Sequence, residues 1–210
     1  MNKYKQLLDV VDKDFITPNK SNSYLEILKD RTNDMDYSNF MTNCCNGGYY
    51  YNRSLHIYSV GSVDDFNNIF YINDLLKKEY NEIIKNEFFF AQEIFGNQFG
   101  FSQDGIVFLN IETGEKNILA ENFDGWYNEI RNDLDYYTGR NIVNAWNAIH
   151  EPLDHNTRLC PTVPFVIGGE YEIENLYKSI FPNFLLSNAN IARQIYDLPE
   201  GAPVVLKLKE

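Results

Sequence analysis

The sequence predicts an α+β fold in which a mainly antiparallel meander sheet is flanked by helices. Between Phe88 and Ile130, apolar runs of strand length alternate with turn residues. The turns contain Gly-Asn, Asp-Gly and Thr-Gly pairs, which are typical of the connections between antiparallel strands. The last turn leads into residues whose apolar side chains recur at helical spacing. A four-stranded meander closed by an amphipathic helix is therefore expected.

Each element of this meander follows from its own residue pattern. The run that begins at Phe88 is nearly continuous in apolar residues, as in a strand that is buried on both faces or crosses the core. Asp104-Gly105 suits a tight turn, and Asn122 can cap the helix that follows. The predicted strands are Phe88–Phe95, Phe99–Phe101, Ile106–Ile111 and Ile118–Ala120, and the helix places Phe123, Trp126, Tyr127 and Ile130 on one face.

Helices and a short hairpin are predicted ahead of the meander. Apolar residues recur at helical spacing in three segments, and the turn Asn46-Gly47-Gly48 ends the second of these helices. Asn52-Arg53 is the predicted turn of the hairpin. The helices are expected at Tyr4–Val11, Asp34–Cys44 and Val63–Ile84, the hairpin strands at Tyr49–Tyr51 and Ser54–Tyr58, and Tyr24–Leu28 is either helical or extended.

The chain after the meander is predicted to form a C-terminal α/β extension. The segment His150–Pro164 contains three prolines and is the candidate linker. Residues 1–150 would form the main domain and residues 151–210 the extension, which is too short to be stable alone and should pack on the main domain. A helix at Leu134–Ile149 is expected to end the main domain, and the expected elements of the extension are strands at Phe165–Ile167, Tyr171–Tyr177 and Val204–Leu208 and a helix at Ala189–Tyr196.

Several pieces of the meander resemble a known family. The pieces FFFAQEIFG, QFGF, DGIVF, ETGE and ILAENF, followed by Trp126, resemble in their order and spacing the SUKH superfamily of bacterial toxin-immunity proteins and a fungal regulator of cell-wall synthesis. Phe40 and the segment Cys45–Val60 look like that family's helix, glycine turn and first strands. The segments Leu159–Tyr177 and Ile191–Leu208 look like a C-terminal extension carried by some bacterial members. The resemblance implies a SUKH-like fold and a binding protein that has no catalytic activity.

The charge of the chain restricts its partners. The sequence has 18 Lys and Arg against 30 Asp and Glu, and its formal net charge is -12. Such a charge repels nucleic-acid backbones and anionic membrane surfaces, whereas it steers basic proteins toward the chain. A net negative charge also keeps many cytosolic proteins soluble. A basic protein is therefore an expected partner, and nucleic acid and membranes are not.

The N-terminus and the cysteines predict a cytoplasmic location. The first residues lead directly into a polar amphipathic stretch without an apolar leader, and about 18 apolar residues never occur in succession. There are three cysteines, and Cys44 and Cys45 are adjacent. This arrangement provides neither a disulfide framework nor a CxxC pair, so buried thiols are expected.

The strongest candidate for a metal site is the segment from His150 to His155. His150, Glu151, Asp154 and His155 can all bind metal ions. A zincin requires two histidines four residues apart on one helix, whereas these are five apart with Pro152 between them. A solvated loop is therefore the expected structure, and a metal-dependent hydrolase that uses these four residues is the alternative.

Other catalytic patterns are weaker still. Cys45 and His56 could act as nucleophile and base, but Cys45 lies at a predicted helix C-terminus, where the helix dipole raises the pKa of a thiol. Gly168-Gly169 lacks the residues of a phosphate-binding loop. The acidic pairs at 64–65, 133–135 and 172–174 lack the flanking residues typical of glycosidases and are expected to be solvated. No catalytic residue, metal or cofactor is predicted.

Two tyrosine-rich segments beside acidic residues are candidates for a partner surface. Protein interfaces concentrate their binding energy in a few Tyr, Trp and Arg side chains. In a strand, Tyr50 would face the opposite side from its neighbours Tyr49 and Tyr51. The alternative is that half of these tyrosines pack in the core. The predicted partner-binding residues are Tyr50, Asp133, Asp135, Tyr136 and Tyr137.

The resemblance to the SUKH superfamily implies an immunity protein that binds and neutralises a cognate bacterial toxin, for example a nuclease, whose basic surface would suit the acidic balance of this chain. The binder would cover or distort the active site of the toxin. The alternative is an intracellular scaffold or regulator with the same fold and several weaker partners. Both are binding functions without catalysis, and they differ in the number of partners.

Overall fold

The structure is a computed structural model that describes residues 3–18, 22–199 and 201–207, with the backbone alone at 22–25. It has an α+β architecture, as predicted. A six-stranded antiparallel sheet with strand order 1-2-3-4-5-6 is flanked by helices, and two further strands form a second sheet. The strands are β1 (Gly48–Tyr50), β2 (Leu55–Ile57), β3 (Phe88–Glu93), β4 (Gln98–Ser102), β5 (Gly105–Leu109), β6 (Lys116–Ala120), β7 (Thr157–Pro161) and β8 (Leu176–Ile180).

The helices lie on both faces of the large sheet and around its edges. Among the described residues they are α1 (Lys5–Leu8), α2 (Asn22–Thr32), α3 (Met35–Asn39), α4 (Ile69–Glu79), α5 (Phe123–Asn132), α6 (Leu134–Thr138), α7 (Arg140–Ile149) and α8 (Asn183–Ile195). A π-helical turn, Phe40–Cys44, continues α3. The segment around Tyr24, for which two structures were open, is helical. No helix of the described ranges is long and apolar enough to cross a membrane.

The predicted meander is confirmed as β3 to β6 followed by α5. Its turns work as the sequence indicates, since Gly105 adopts a φ of +130° that an L residue rarely adopts. The side chain of Asn122 caps α5 by accepting a hydrogen bond from the N–H of Gly125 at 2.9 Å. The rings of Phe90 and Trp126 pack edge to face, with centroids 5.0 Å apart, and thereby join β3 to α5.

Strand β3 is buried on both faces, as its apolar run indicates. On one face, Phe90 packs against α3 and α5. On the other face, Phe89 lies beside α4, where Asn73 bonds to its backbone. The ring of Phe89 also crosses Gly100 of β4, because a Cβ atom at Gly100 would lie 2.7 Å from Phe89 Cδ1. The absence of a side chain at Gly100 therefore makes room for the buried ring.

We expect Gly100→Ala to lower the free energy of unfolding by at least about 1 kcal/mol, because the added methyl group overlaps the Phe89 ring in a close-packed core. Urea unfolding of both proteins measures the loss. Phe89→Leu in the Gly100→Ala background should recover part of it, since a smaller side chain relieves the overlap. Equal stability of Gly100→Ala and the wild-type protein would contradict this account.

Three predicted helices are shorter or divided, and the first of them, expected at Tyr4–Val11, spans only Lys5–Leu8. The helix expected at Val63–Ile84 is confined to α4, because Asn68 caps it by accepting hydrogen bonds from the N–H groups of Phe70 and Tyr71 at 3.0 and 3.3 Å. The helix expected at Leu134–Ile149 is divided into α6 and α7 by Gly139, which has a φ of +63°. A left-handed residue ends a helix, and the chain changes direction there.

The extension differs most from its prediction. The expected linker contains β7, which pairs with β8 and donates a hydrogen bond from the N–H of Leu159 to the carbonyl oxygen of Ile94. The predicted strand at Phe165–Ile167 is a 3-10 turn, ended by Gly168 at a φ of +99°. The strand expected from Tyr171 begins only at Leu176, and residues 204–207 form no strand, while Leu208 lies outside the described residues. The last helix starts at Asn183, earlier than expected.

The extension shares its apolar surface with the rest of the chain. Leu159 and Leu176 belong to a small core with residues that precede β7, and α8 contributes to the main core. The small core contains Ile94, Val143, Trp146, Leu153, Leu159 and Leu176, and α8 buries Phe184, Leu185, Ala189 and Ala192 in the main one. The division of the chain at residue 150 stays a prediction.

Candidate partner-binding surface

Four of the five predicted partner-binding residues lie together on or beside α6. Asp133 is exposed and caps α6 by accepting a hydrogen bond from the N–H of Tyr136 at 3.2 Å. Asp135 forms an ion pair with Arg140 at 2.8 Å. Tyr136 has 72% of its surface exposed, and its ring packs edge to face on that of the half-buried Tyr137, with centroids 5.0 Å apart. Two acidic residues and two tyrosines therefore lie on one short helix or directly at its start.

The prediction for Tyr50 is wrong, because its side chain is completely buried. Its hydroxyl donates a hydrogen bond to the carbonyl oxygen of Gly47 at 3.0 Å. Tyr49 is buried as well, with its ring stacked on His56 at 4.1 Å. Both faces of β1 are covered, so the alternation of side chains does not bring either one to solvent. Tyr51, which follows the strand, is the tyrosine of this segment that reaches the surface in part.

The turn between β1 and β2 borders α7 in an unusual conformation. Tyr51, Asn52 and Arg53 have φ values of +51°, +58° and +70°. Non-glycine residues rarely adopt this conformation, at a cost of roughly 1–2 kcal/mol each, so the surroundings must hold it. The Asn52 amide donates to Asn144 Oδ1 at 3.0 Å, and Arg53 donates to Asp12 Oδ2 at 3.0 Å. The turn is thus fixed to α7 and to the N-terminal segment.

On another side, α6 is near a loop of the extension. The loop residue Tyr171 has 54% of its surface exposed, and its ring stacks on Phe165 at 3.9 Å. Burial raises the pKa of Tyr171, and the nearby groups Glu93, Glu112 and Tyr136 raise it further. Tyr136 and Tyr171, which are remote in sequence, therefore lie within electrostatic range of each other.

The loop around Tyr171 adds three exposed carboxylates, Glu170, Glu172 and Glu174. No Lys, Arg or His of the described residues forms an ion pair with any of these or with Asp133. We call the combined region the acidic tyrosine surface. It consists of Asp133, Asp135, Tyr136, Tyr137, Glu170, Tyr171, Glu172 and Glu174.

Sequence reasoning missed the contribution of the extension to this surface. One signal was present, since EYEIE at 170–174 alternates acidic and bulky residues much as DLDYY at 133–137 does. The expectation that Glu172 and Glu174 are solvated agrees with their exposure. The position of their loop depends on Phe165 and Tyr171, whose rings both pack against Phe95 with centroids 5.4 Å apart.

The histidines of the candidate metal segment have other contacts. The His150 ring packs on Trp146 with centroids 4.1 Å apart, whereas the His155 ring stacks on Phe15 at 4.7 Å. His155 Nε2 also lies 3.3 Å from a carboxylate oxygen of Asp64. Within the described ranges, no group of three or more His, Cys, Asp or Glu side chains is arranged to hold a metal ion.

Cys45 and His56 do not form a nucleophile and base. The Cys45 thiol donates to the carbonyl oxygen of Gly47, and burial raises the pKa of this thiol. His56 is completely buried, and burial lowers its pKa well below the usual value. Both ring nitrogens are in use, because Nε2 donates to Asn67 Oδ1 at 2.9 Å and Nδ1 accepts from the Gln92 amide at 3.1 Å. The histidine is therefore a neutral member of a buried hydrogen-bond network.

Comparison with known proteins bears on the fold alone. No protein-family model matches the sequence, and no curated protein matches it. Among solved structures, the chain is similar to Atu4351 from Agrobacterium tumefaciens, with a TM-score of 0.58 and 14% sequence identity. The similarity covers 92% of this chain and 87% of the other. The two chains therefore share an α+β fold over nearly their whole length.

Proposed function

We propose that this chain is a non-catalytic binding protein of the bacterial cytoplasm that neutralises a cognate protein toxin with a basic surface. The observation that carries the proposal is the acidic tyrosine surface, which joins exposed aromatic rings and carboxylates from two remote segments. The resemblance of the meander to the SUKH superfamily supports the same function. The net charge of -12 supports a basic partner.

The chemistry of the surface suits tight protein binding. A tyrosine ring offers a large rigid contact area and loses little conformational entropy on binding. Tyr136 and Tyr171 each expose more than half of their surface, so both rings are accessible. The carboxylates around them that have no cation partner within the described chain would attract a basic partner and speed its association. An inhibitor that must act before its toxin does damage benefits from fast association and slow release.

The proposal predicts one strong basic partner. The tagged full chain should retain, from its own cells, one basic protein at near-equal stoichiometry, identified by mass spectrometry after washing at low and moderate salt. An excess of the purified chain should then suppress the activity of that protein. Several substoichiometric partners would favour a scaffold or regulator, and a toxin whose activity is unchanged by the chain would contradict neutralisation.

Once that partner is in hand, we expect Tyr136→Ala to weaken binding at least about 30-fold, the loss of roughly 2 kcal/mol typical of an interface hot spot. Glu172→Lys should slow association, with a smaller effect at high salt. Calorimetry and stopped-flow measurements check the two effects.

The matched control is Tyr71→Ala, because Tyr71 of α4 is also partly exposed, at 42%. It lies outside the acidic tyrosine surface and should bind as the wild-type protein does. Equal affinities of the wild-type, Tyr136→Ala and Glu172→Lys proteins would show that the partner binds elsewhere on the chain.

A further inference from the structure

Arg158 of β7 is buried between the extension and the large sheet, with 1% of its surface exposed. Its Nη1 donates to the carbonyl oxygen of Thr157 at 2.7 Å. Its Nε and Nη2 have no hydrogen-bond acceptor among the described residues. The guanidinium carbon lies 4.9 Å from the centroid of the Phe66 ring, which adds a cation–π contact but no acceptor for these N–H groups.

The charge of Arg158 also lacks a close counterion. No carboxylate of the described residues lies within 4.0 Å of its guanidinium nitrogens. Glu93 is the carboxyl group among its main electrostatic neighbours. Both Glu93 oxygens accept backbone N–H groups, those of Phe95 and Asn97 at 3.0 and 2.8 Å. Burial raises the pKa of Glu93 to about 8, so this group is largely neutral at pH 7.

A third donor without a partner lies in the same neighbourhood. The Tyr49 hydroxyl is buried and has no hydrogen-bond partner within the described chain. Its ring stacks on His56, whose ring is 5.0 Å from that of Phe66, the ring under Arg158. Tyr49 is the leading electrostatic neighbour of Arg158. The unused N–H groups of Arg158 and the unused O–H of Tyr49 therefore belong to buried side chains that lie within electrostatic range of each other.

We propose that Arg158 and Tyr49 bind a small monovalent inorganic anion of the size of chloride, between the large sheet and the extension. Buried donors without acceptors are rare, and a buried charge without a counterion is unfavourable. A water molecule would accept hydrogen bonds but would leave the charge unbalanced. One arginine balances one negative charge, so a divalent anion such as sulfate does not fit. The anion would join Arg158 of the extension to Tyr49 of the main sheet.

Crystals of the full chain grown in sodium bromide test the site directly, because bromide replaces chloride and scatters anomalously. We expect a bromide peak within hydrogen-bonding distance of Arg158 Nε, Arg158 Nη2 and the Tyr49 hydroxyl. Water at this position, a Glu93 carboxylate turned onto Arg158, or bromide at surface positions as an adventitious ion only would each overturn the proposal.

Thermal unfolding tests the site in solution. At equal ionic strength, the melting temperature should rise saturably with sodium chloride but not with sodium gluconate, whose anion is too large, because a ligand that binds the folded state stabilises it. Tyr49→Phe should weaken the apparent chloride affinity about tenfold, since it removes one hydrogen bond to a charged group. Tyr37→Phe is the matched control, because Tyr37 is also a buried tyrosine whose hydroxyl has no hydrogen-bond partner among the described residues.

Tyr37 packs against Phe90 on the face of the sheet that carries α3 and α5. Its replacement should leave the chloride response unchanged. Equal melting curves of the wild-type protein in chloride and gluconate, or equal effects of the Tyr49→Phe and Tyr37→Phe replacements, would overturn the anion site.

Discussion

Asn73→Ala is expected to lower the free energy of unfolding by about 3 kcal/mol or more. Asn73 of α4 faces β3 at a bulge between Phe89 and Ala91. There its side chain replaces a neighbouring strand, donating to the Phe89 carbonyl oxygen at 2.7 Å and accepting from the Phe89 N–H at 2.8 Å. The same amide also donates to the carbonyl oxygen of Ile69 at 2.8 Å. Each buried backbone group left without a partner costs about 1–3 kcal/mol, and the missing atoms leave a void.

Urea unfolding of the two proteins measures the difference. Asn117→Ala is the matched control, because Asn117 also uses its amide group in a hydrogen bond, with Glu115, but at the surface. Its removal should change stability by less than about 0.5 kcal/mol, since solvent replaces the lost partner. A loss at Asn73 as small as the one at Asn117 would show that β3 does not depend on this side chain.

The second large effect is a decrease of about 2 kcal/mol in the free energy of unfolding as the pH rises from 6.5 to 8. Burial raises the pKa of Glu93 to about 8 and that of Glu112 to about 7, from a usual value of 4.5. A carboxyl group with a raised pKa stabilises the fold fully below 4.5, and this contribution is lost as the pH rises through the raised value. One pH unit over which Glu93 keeps its proton in the folded state alone corresponds to about 1.4 kcal/mol. From pH 6.5 to the Glu93 pKa of about 8 there are about 1.5 such units.

His56 determines which pH range isolates the two glutamates. Burial lowers its pKa well below the usual value of 6.5, so its contribution is present above pH 6.5 and is lost as the pH falls. Between pH 4.5 and 6.5 the free energy of unfolding already falls as the pH rises, but His56 offsets the effect of about one of the two glutamates. Above pH 6.5 the glutamates act alone, so the range from pH 6.5 to 8 measures their contribution.

Glu93→Gln tests the assignment, because glutamine has nearly the same shape and does not titrate. Urea unfolding at pH 6.5 and 8 should show the full fall in the wild-type protein and only the smaller part that comes from Glu112 in the variant. Glu129→Gln, at a partly exposed carboxylate of α5, should keep the wild-type profile. A Glu93→Gln protein with an unchanged pH profile would contradict the role of this carboxyl group.

The meander could be predicted because its signals are local. Asp104-Gly105 specifies a turn and Asn122 specifies a helix start, whatever the rest of the chain does. Strand β7 could not be predicted, because Thr157 and Arg158 are polar and Pro161 ends the segment. These residues are extended and buried because β8 and the backbone of Ile94 supply their hydrogen-bond partners. Ile94 is remote from β7 in sequence, and the residue pattern does not reveal the strand β8 at Leu176–Ile180.

Half of the acidic tyrosine surface could be predicted in the same way. The residues from Asp133 to Tyr137 form a polar, aromatic segment after an amphipathic helix, and a polar segment of that kind is usually exposed. Tyr171 and its acidic neighbours join it only because the extension folds back across Phe95. The prediction is wrong at Tyr50, because the residue pattern of a single strand does not show whether other elements cover one of its faces or both.

The sequence by itself determined the α+β class, the order of β3 to β6, the start of α5 and the acidic balance of the chain. Each of these depends on residue type or on contacts between near neighbours. Only the tertiary structure decided which tyrosines reach solvent, which helix the loop at Tyr171 approaches, and that the buried Arg158 lies within electrostatic range of Tyr49. The physical reason is that burial is a property of what packs against a residue, and these packing partners come from remote parts of the chain.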